Sequence, residues 1–333
     1  MFKGKKILIT GGTGSLGMAL TKKLLETDVD TIRIYSRDEL KQIEMQTKFV
    51  DKRLRFLIGD VRDKERLSRA LEEVNIVIHA AALKHVPVAE YNPFEAVKTN
   101  VYGAQNLIEA CFDRNVEMAL AIGTDKAVAP FNTYGATKLL MERLFVSANF
   151  YKGNHNIKFL CVRYGNVLGS RGSVVPTFVN QIQSGKNITI TDPNMTRFNI
   201  TMKQALELVF RALKNGQGGE VFIPKLKAYK VADLRDVTLE LMKANNKTDI
   251  ISVRPGEKYH EILISNDEIR NAYENTDDHI ILEQQIQDEY LKRDPSVKKS
   301  PFSEQYSSDK VELLTKTELK DILITEKIVP VKT

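Results

Sequence analysis

Tyr134 and Lys138 stand four residues apart in the run Asn132-Thr133-Tyr134-Gly135-Ala136-Thr137-Lys138. On a helix that spacing puts both side chains on one face. An ammonium beside a phenol favours the phenolate, so Tyr134 becomes a base able to take a hydroxyl proton while hydride leaves the same carbon. A lone Tyr-x-x-x-Lys also arises on ordinary surface helices. Here it follows a strand that runs into Thr124-Asp125-Lys126, and the chain opens with a glycine turn of the kind that holds a hydride carrier.

That turn is Gly11-Gly12-Thr13-Gly14-Ser15-Leu16-Gly17. Gly11 permits the tight turn, Gly14 lets backbone approach a pyrophosphate, and Gly17 allows a helix to pack close to the strand before it. A helix starting at Ser15 offers free N–H groups to phosphate. The end of the second strand discriminates between the nicotinamide cofactors, because an acidic residue there accepts from a ribose 2′-hydroxyl and repels a 2′-phosphate. Ser36 occupies that place, followed by Arg37 and, a turn later, Lys41, which suit a phosphate. NADP is therefore expected in preference to NAD. Asp38 and Glu39 read as helix-capping charges. Asp60 and Val61 follow the third strand and would hold the adenine edge. Ala80 and Ala81 follow the fourth and are small enough for the chain to pass beneath the cofactor. His79 reads as core, and the five histidines lack metal-ligand spacing, so no metal is expected.

The elements that must position these groups alternate. Strands are expected at 6–10, 31–36, 54–59, 75–80, 118–123 and 158–164, with helices at 15–26, after Asp38, and at 64–71, 94–114 and 134–151. Strands joined by helices pair in parallel, and ligand sits at their carboxyl ends. The fold class is α/β, a doubly wound parallel (Rossmann) sheet with a smaller α/β substrate-binding lobe. Residues 1–165 form the cofactor domain, joined by segments returning from the second half, and 166–333 form mainly the lobe and a tail. In that part strands are expected at 185–192, 219–225 and 248–254, helices at 201–215, 231–244 and 316–324, and an extended loop at 293–308.

Composition sets the outer limits. The chain has 333 residues, 42% of them hydrophobic and 28% charged, with a net charge of +6. That supports a packed core and argues against disorder. The basic excess is spread out, without a basic run interleaved with aromatics, so no nucleic-acid partner is expected. Apolar runs are far below the 18 or so residues of a membrane span. Two cysteines, Cys111 and Cys161, exclude a disulfide scaffold. A cytoplasmic protein is expected.

Longer strings carry a resemblance: 80–93 (AALKHVPVAEYNP), 124–138 (TDKAVAPFNTYGATK), 163–176 (RYGNVLGSRGSVVP), 192–198 (DPNMTRF) and 254–261 (RPGEKYHE). With the glycine turn they resemble the extended short-chain dehydrogenases/reductases and, among these, the 5-inverting UDP-N-acetylglucosamine 4,6-dehydratases of pseudaminic acid and related L-sugar pathways. The resemblance spans nearly the whole chain. Lys126 stands where dTDP-glucose 4,6-dehydratases carry a Glu, Tyr134 where retaining UDP-N-acetylglucosamine dehydratases carry a Met, and UDP-hexose 4-epimerases lack the pair at 125 and 126.

The resemblance implies a mechanism. Tyr134 takes the C4 hydroxyl proton as hydride passes to NADP, with Thr124 and Lys138 orienting and polarising. A neutral Lys126 removes the C5 proton and a protonated Asp125 delivers one to the departing C6 hydroxyl. Hydride returns to C6, and reprotonation on the opposite face of C5 gives the L-arabino 4-keto sugar. A structural ion pair is the plainer use of Asp125 and Lys126. Tyr134, Lys138 and Lys84 also contact the cofactor, and Lys84, Asn166, Val174, Arg197, Arg254 and Glu257 the UDP-sugar. Asn199 departs from the pattern, since relatives often have Trp there, which bears on packing near the sugar. The alternatives are a dehydratase that retains C5 or stops at a 5,6-ene, a UDP-hexose 4-epimerase, and a non-catalytic NADP-sensing protein. The resemblance also implies a homo-oligomer, with hexamers built from dimers among its relatives.

Overall fold

The computed structural model describes residues 1–170, 172–253 and 256–330. Its first half alternates: β1 (Lys6–Thr10), α1 (Ser15–Leu25), β2 (Thr31–Ser36), α2 (Glu39–Lys48), β3 (Leu54–Ile58), α3 (Lys64–Ala70) and β4 (Ile76–His79). There follow α4 (Val86–Tyr91), α5 (Pro93–Ala96), α6 (Gly103–Asp113), β5 (Met118–Ile122), α7 (Thr133–Tyr151) and β6 (Lys158–Val162). Asp38 and Asp63 start α2 and α3 by accepting from the third backbone N–H of each helix. The strands are apolar because both faces are covered, with Ile7, Leu8, Ile9, Val77 and Ile78 fully buried.

The second half contains α8 (Val174–Gln183), β7 (Ile188–Ile190), β8 (Thr196–Phe198), α9 (Met202–Asn215), β9 (Glu220–Pro224), β10 (Ala228–Lys230), α10 (Val231–Leu241) and β11 (Thr248–Ile250). It closes with β12 (Ile262–Ile264), β13 (Ala272–Glu274), β14 (Asp278–Leu282), α11 (Gln284–Arg293), β15 (Lys298–Lys299), β16 (Tyr306–Ser307) and α12 (Lys316–Thr325). The main sheet has ten strands in the order β15-β13-β14-β9-β6-β5-β4-β1-β2-β3. It is parallel from β3 to β9, while β14, β13 and β15 add antiparallel. A second apolar core, including Phe178, Ile188, Leu234, Leu319 and Leu323, packs α8, α10 and α12 together.

Three expectations need correction. The single helix over 94–114 is instead α5, a π-helical stretch Val97–Tyr102, and α6. The wider turns fall where Thr99 and Asn100 are buried, and such bulges recur at functional sites. The loop over 293–308 carries β15 and β16, which are too short for periodicity to reveal. The antiparallel strands beyond β9 lay outside the parallel pattern.

Buried Arg163, just past β6, ties the halves together. It donates to Glu142 of α7 (3.1 and 2.5 Å), to Glu268 (3.1 and 2.8 Å) and to the Leu263 carbonyl (2.8 Å). The helix carrying Tyr134 and Lys138 is thereby joined to the segment around β12.

Candidate active site

Three clefts meet at the carboxyl ends of the parallel strands. The largest, about 600 Å³, is lined by Gly11, Thr13, Gly14, Ser15, Ser36, Arg37, Lys41, Asp60, Val61, Ala80, Ala81 and Lys84. One of about 200 Å³ adjoins it, with Leu16, Gly17, Thr124, Tyr134, Lys138 and Asn166 in its wall. The third, about 250 Å³, lies towards the second core and is lined by Lys84, Thr124, Lys126, Tyr134, Asn166, Val174, Arg197 and Glu257. Lys84 is common to all three. Arg254 lies outside the described residues.

The first cleft fits a dinucleotide. Gly11 has φ +65°, and a Cβ there would stand 2.8 Å from the Ala81 nitrogen; one on Gly17 would stand 2.4 Å from the Gly12 carbonyl oxygen. Any side chain would fill the cradle or push α1 from the turn. Helix α1 begins after Gly14 with no side-chain cap and no acid in its first turn, leaving N–H groups for an anion. At the end of β2, the Ser36 hydroxyl accepts from Gln42 (3.0 Å). Arg37 reaches Asp60 at 3.4 Å, and Lys41 pairs with Asp38. Asp60 is held mainly by Arg62 (3.0 and 2.7 Å). Below, His79 is fully buried, bonded to Thr10 (2.8 Å) and stacked on Phe145. Burial, helped by Lys138, lowers its pKa to about 3 and keeps it neutral.

The other two clefts meet at the turn after β5. The Thr124 hydroxyl donates to Asp125 Oδ1 (2.9 Å), and Lys126 Nζ donates to the same oxygen (3.0 Å) and to Asn166 Oδ1 (3.4 Å). Asp125 is 1% exposed and, unlike Thr124 and Lys126, is not among the residues lining the three clefts. Helix α7 sits so close that a Cβ on Gly135 would stand 2.1 Å from the Lys126 carbonyl. Asn132 caps α7 through the Gly135 N–H (2.7 Å) and donates to the Gly256 carbonyl (2.8 Å). Arg197, paired in register with Tyr229 of β10, reaches Glu257 at 3.2 Å.

Burial raises the pKa of Tyr134 to about 12, against Lys126 and a hydrogen bond with Thr124 that pull it down. Burial lowers that of Lys138 to about 8. The cation acting on the phenol is therefore Lys126, while Lys138 Nζ donates to Met141 Sδ (3.0 Å), and the phenol stays protonated where a lysine-favoured phenolate was expected. Burial also disfavours the Lys126 ammonium, but Asp125 and then Glu261 outweigh it and hold its pKa above the ordinary lysine value. That is the opposite of the neutral amine expected for a C5 base.

Two residues were not legible as site residues in the sequence. Asn100, in the π-helical stretch, accepts from the Leu83 N–H (2.8 Å) and donates to the Leu83 carbonyl (3.1 Å) and to Thr137 (3.0 Å). It fixes the segment carrying Ala81 and Lys84 against α7. A polar residue on the inner side of an otherwise apolar helix was its one signal. Glu261, at the end of a string quoted only for resemblance, approaches Lys126 at 3.4 Å. Asn199 is buried, its N–H donating to the Lys227 carbonyl (2.9 Å).

A family model described as polysaccharide biosynthesis protein matches residues 7–283. The chain belongs to this family. Among its relatives is an inverting UDP-N-acetylglucosamine 4,6-dehydratase of Campylobacter jejuni subsp. jejuni, 53% identical over 276 residues, which are 82% of this chain and 81% of that one. A UDP-glucose 4-epimerase of Rickettsia canadensis is 40% identical over 332 residues, 98% of this chain and 97% of that one. Among solved structures, Pen from Bacillus thuringiensis superposes with a TM-score of 0.92 at 40% identity, covering 99% of each chain. The expected resemblance to the inverting dehydratases holds.

Proposed function

We propose that this protein is a UDP-N-acetylglucosamine 4,6-dehydratase, a hydro-lyase that inverts C5 and releases UDP-2-acetamido-2,6-dideoxy-β-L-arabino-hex-4-ulose. The observation carrying this reading is the Asp125–Lys126 pair, 3.0 Å apart, beside a cleft that Lys126 shares with Tyr134. A plain oxidation or epimerisation at C4 uses Tyr134 and Lys138 and leaves a second acid–base pair idle. The inverting dehydratase of Campylobacter jejuni supports the same reading.

A bound nicotinamide, in NADP form by the Ser36–Arg37–Lys41 reading, supplies the hydride acceptor and donor. Tyr134 accepts the C4 hydroxyl proton, with Thr124 and Lys138 orienting and polarising. The C4 ketone acidifies C5, and Lys126 takes that proton as Asp125 gives one to the departing C6 hydroxyl. One proton moving from Lys126 to Asp125 across 3.0 Å produces both required forms together, so no external acid or base is needed. Asp125 and Glu261 hold Lys126 as the ammonium at rest, so that transfer belongs to the substrate-bound site. Return of hydride to C6 and addition of a solvent-derived proton to the face of C5 opposite Lys126 reduce the 5,6-ene and complete the inversion. Lys84, Asn166, Val174, Arg197, Arg254 and Glu257 hold the UDP-sugar, the arginines on its diphosphate and uridine and Glu257 on its ribose. Residues 1–165 serve the cofactor and 166–333 mainly the sugar nucleotide.

Exposed Tyr91, Phe94, Tyr102, Leu140 and Tyr151 on α4 to α7 support a homo-oligomer, which light scattering measures. Buried, unpaired Cys111 and Cys161 suit a reducing, cytoplasmic compartment. Among the described residues, no helix is long and apolar enough to cross a membrane.

Proton NMR with UDP-N-acetylglucosamine in D₂O tests the assignment. A new C6 methyl signal, deuterium at C5 and L-arabino couplings are expected. Retained D-xylo couplings would overturn the inversion, vinyl signals would indicate a stop at the 5,6-ene, and a C4 epimer without methyl would favour the epimerase that the relative from Rickettsia canadensis suggests.

A further inference from the structure

Glu261 is 3% exposed, and its backbone is clamped from the far end of the chain. Its N–H donates to Ser308 Oγ (2.9 Å) and its carbonyl accepts from the Ser308 N–H (2.8 Å). Ser308 in turn bonds the hydroxyl (2.7 Å) and the carbonyl (3.2 Å) of Thr196, the residue before Arg197. The side chain is therefore delivered to a fixed place. There Oε1 lies 3.4 Å from Lys126 Nζ and 3.7 Å from Arg197 Nε, while Oε2 is buried without a hydrogen-bond partner among the described residues. An acceptor left unmade at that depth costs stability. Packing alone would be served better by an apolar residue or a fully bonded one.

We propose that Glu261 is a positioning residue for Lys126: a second carboxylate that holds the amine at the cleft, opposes its loss of a proton, and links it to Arg197. The proposal rests on the dehydratase reading for its catalytic consequence, not for its electrostatics. Lys126 lies between two carboxylates, Asp125 at 3.0 Å and Glu261 at 3.4 Å. Asp125 exchanges a proton with Lys126 and then passes it to the substrate. Glu261 has no such outlet, and its contacts with Lys126 and Arg197 keep the amine in place at the cleft while that proton moves. Arg197 shares the carboxylate, so an anionic substrate drawing on Arg197 alters the charge that Lys126 feels. Among the described residues, other charged or titratable groups near Lys126 include Tyr134 from α7, Lys258 from the segment before β12, Tyr229 from β10, Glu257 through Arg197, and Lys84 and His85 in the same cleft wall.

The test uses the full chain with Glu261→Gln, which keeps the shape and removes the charge, and two readouts. The first needs no substrate: competitive labelling with acetic anhydride at pH 8, read as the acetylation rate of Lys126 by mass spectrometry. Loss of an opposite charge at this range frees more amine, so labelling rises about three- to ten-fold. The second is turnover: kcat falls about ten-fold or more while KM changes less than three-fold, and C5 deuterium incorporation slows in step. Glu261→Asp keeps the charge on a shorter arm and gives intermediate values in both. Unchanged Lys126 labelling in folded Glu261→Gln protein overturns the proposal and leaves Glu261 a structural residue. If Glu261→Gln does not fold, Glu261→Asp decides on the same labelling readout, an unchanged rate again overturning it. Wild-type protein that makes no methyl product from UDP-N-acetylglucosamine would overturn the dehydratase reading, while the labelling result would still decide the role of Glu261.

Discussion

The cofactor cleft and the sugar cleft are built in different ways. The first is mostly backbone: a glycine turn, an uncapped helix start and two small residues, all within a few positions of a strand end. The second is a cluster of charged side chains drawn from the turn after β5, from β8 and from the segment before β12, with Tyr134 of α7 in the same wall. Backbone N–H groups at a helix start bind phosphate wherever the turn forms. A buried ionic cluster exists only when distant segments meet, and each charge is tolerable only with its partners present. The first region is local and robust, the second long-range and interdependent.

The largest expected effects separate the two regions. Tyr134→Phe removes the C4 base and should lower turnover about a thousand-fold or more, and Lys126→Met should lower methyl formation by about 10²–10⁴-fold. Both variants should still retain nucleotide, read by absorbance after gel filtration; loss of nucleotide from Lys126→Met would break the division. Arg163→Met leaves Glu142 and Glu268 buried against each other. It should cost about 3–5 kcal/mol, as breaking a buried ion pair does, visible as a fall in thermal midpoint. An unchanged midpoint would show that α7 and the β12 segment are held by other contacts.

Smaller effects sharpen the contrast. Burial holds Lys138 at about 8, so its ammonium is lost above that pH, and with it the orienting charge that the proposed mechanism gives Lys138. The pH profile of kcat/KM, which reports the free enzyme, should decline above about pH 8, and a flat profile to pH 10 would remove Lys138 from that role. At the rim of the cofactor cleft, Ser36→Asp places a negative charge where a 2′-phosphate would lie. It should shift preference from NADP towards NAD by about ten-fold, or about 1.4 kcal/mol, measured by competitive binding. A wild type that already prefers NAD would show that Arg37 and Lys41 are occupied by Asp60 and Asp38.

The cofactor half was legible because its physics is written in short spacings. Gly11, Gly14 and Gly17 fall on one turn, and Asp38 caps α2 as expected. His79 packs in the core as read, and Tyr134 and Lys138 share a face of α7. The substrate half was legible mainly through resemblance. Arg197 and Glu257 do meet, at 3.2 Å, but no local period relates them. Asn100 went unnoticed because 94–114 reads as one helix. The antiparallel β13 and β15 escaped because strands of three and two residues carry too little pattern, and β14, as long as β1, joins the sheet antiparallel outside the strand–helix alternation.

By itself the sequence determined the alternating parallel sheet, the dinucleotide turn and the i, i+4 pair of Tyr134 and Lys138, since each depends on backbone geometry repeating every few residues. Tertiary structure alone decided which charges face one another. It set Glu261 against Lys126, hung both Glu261 and Thr196 on Ser308, and joined α7 to the β12 segment through Arg163. Coulombic and desolvation energies depend on distance in space and on burial, neither of which a linear spacing records.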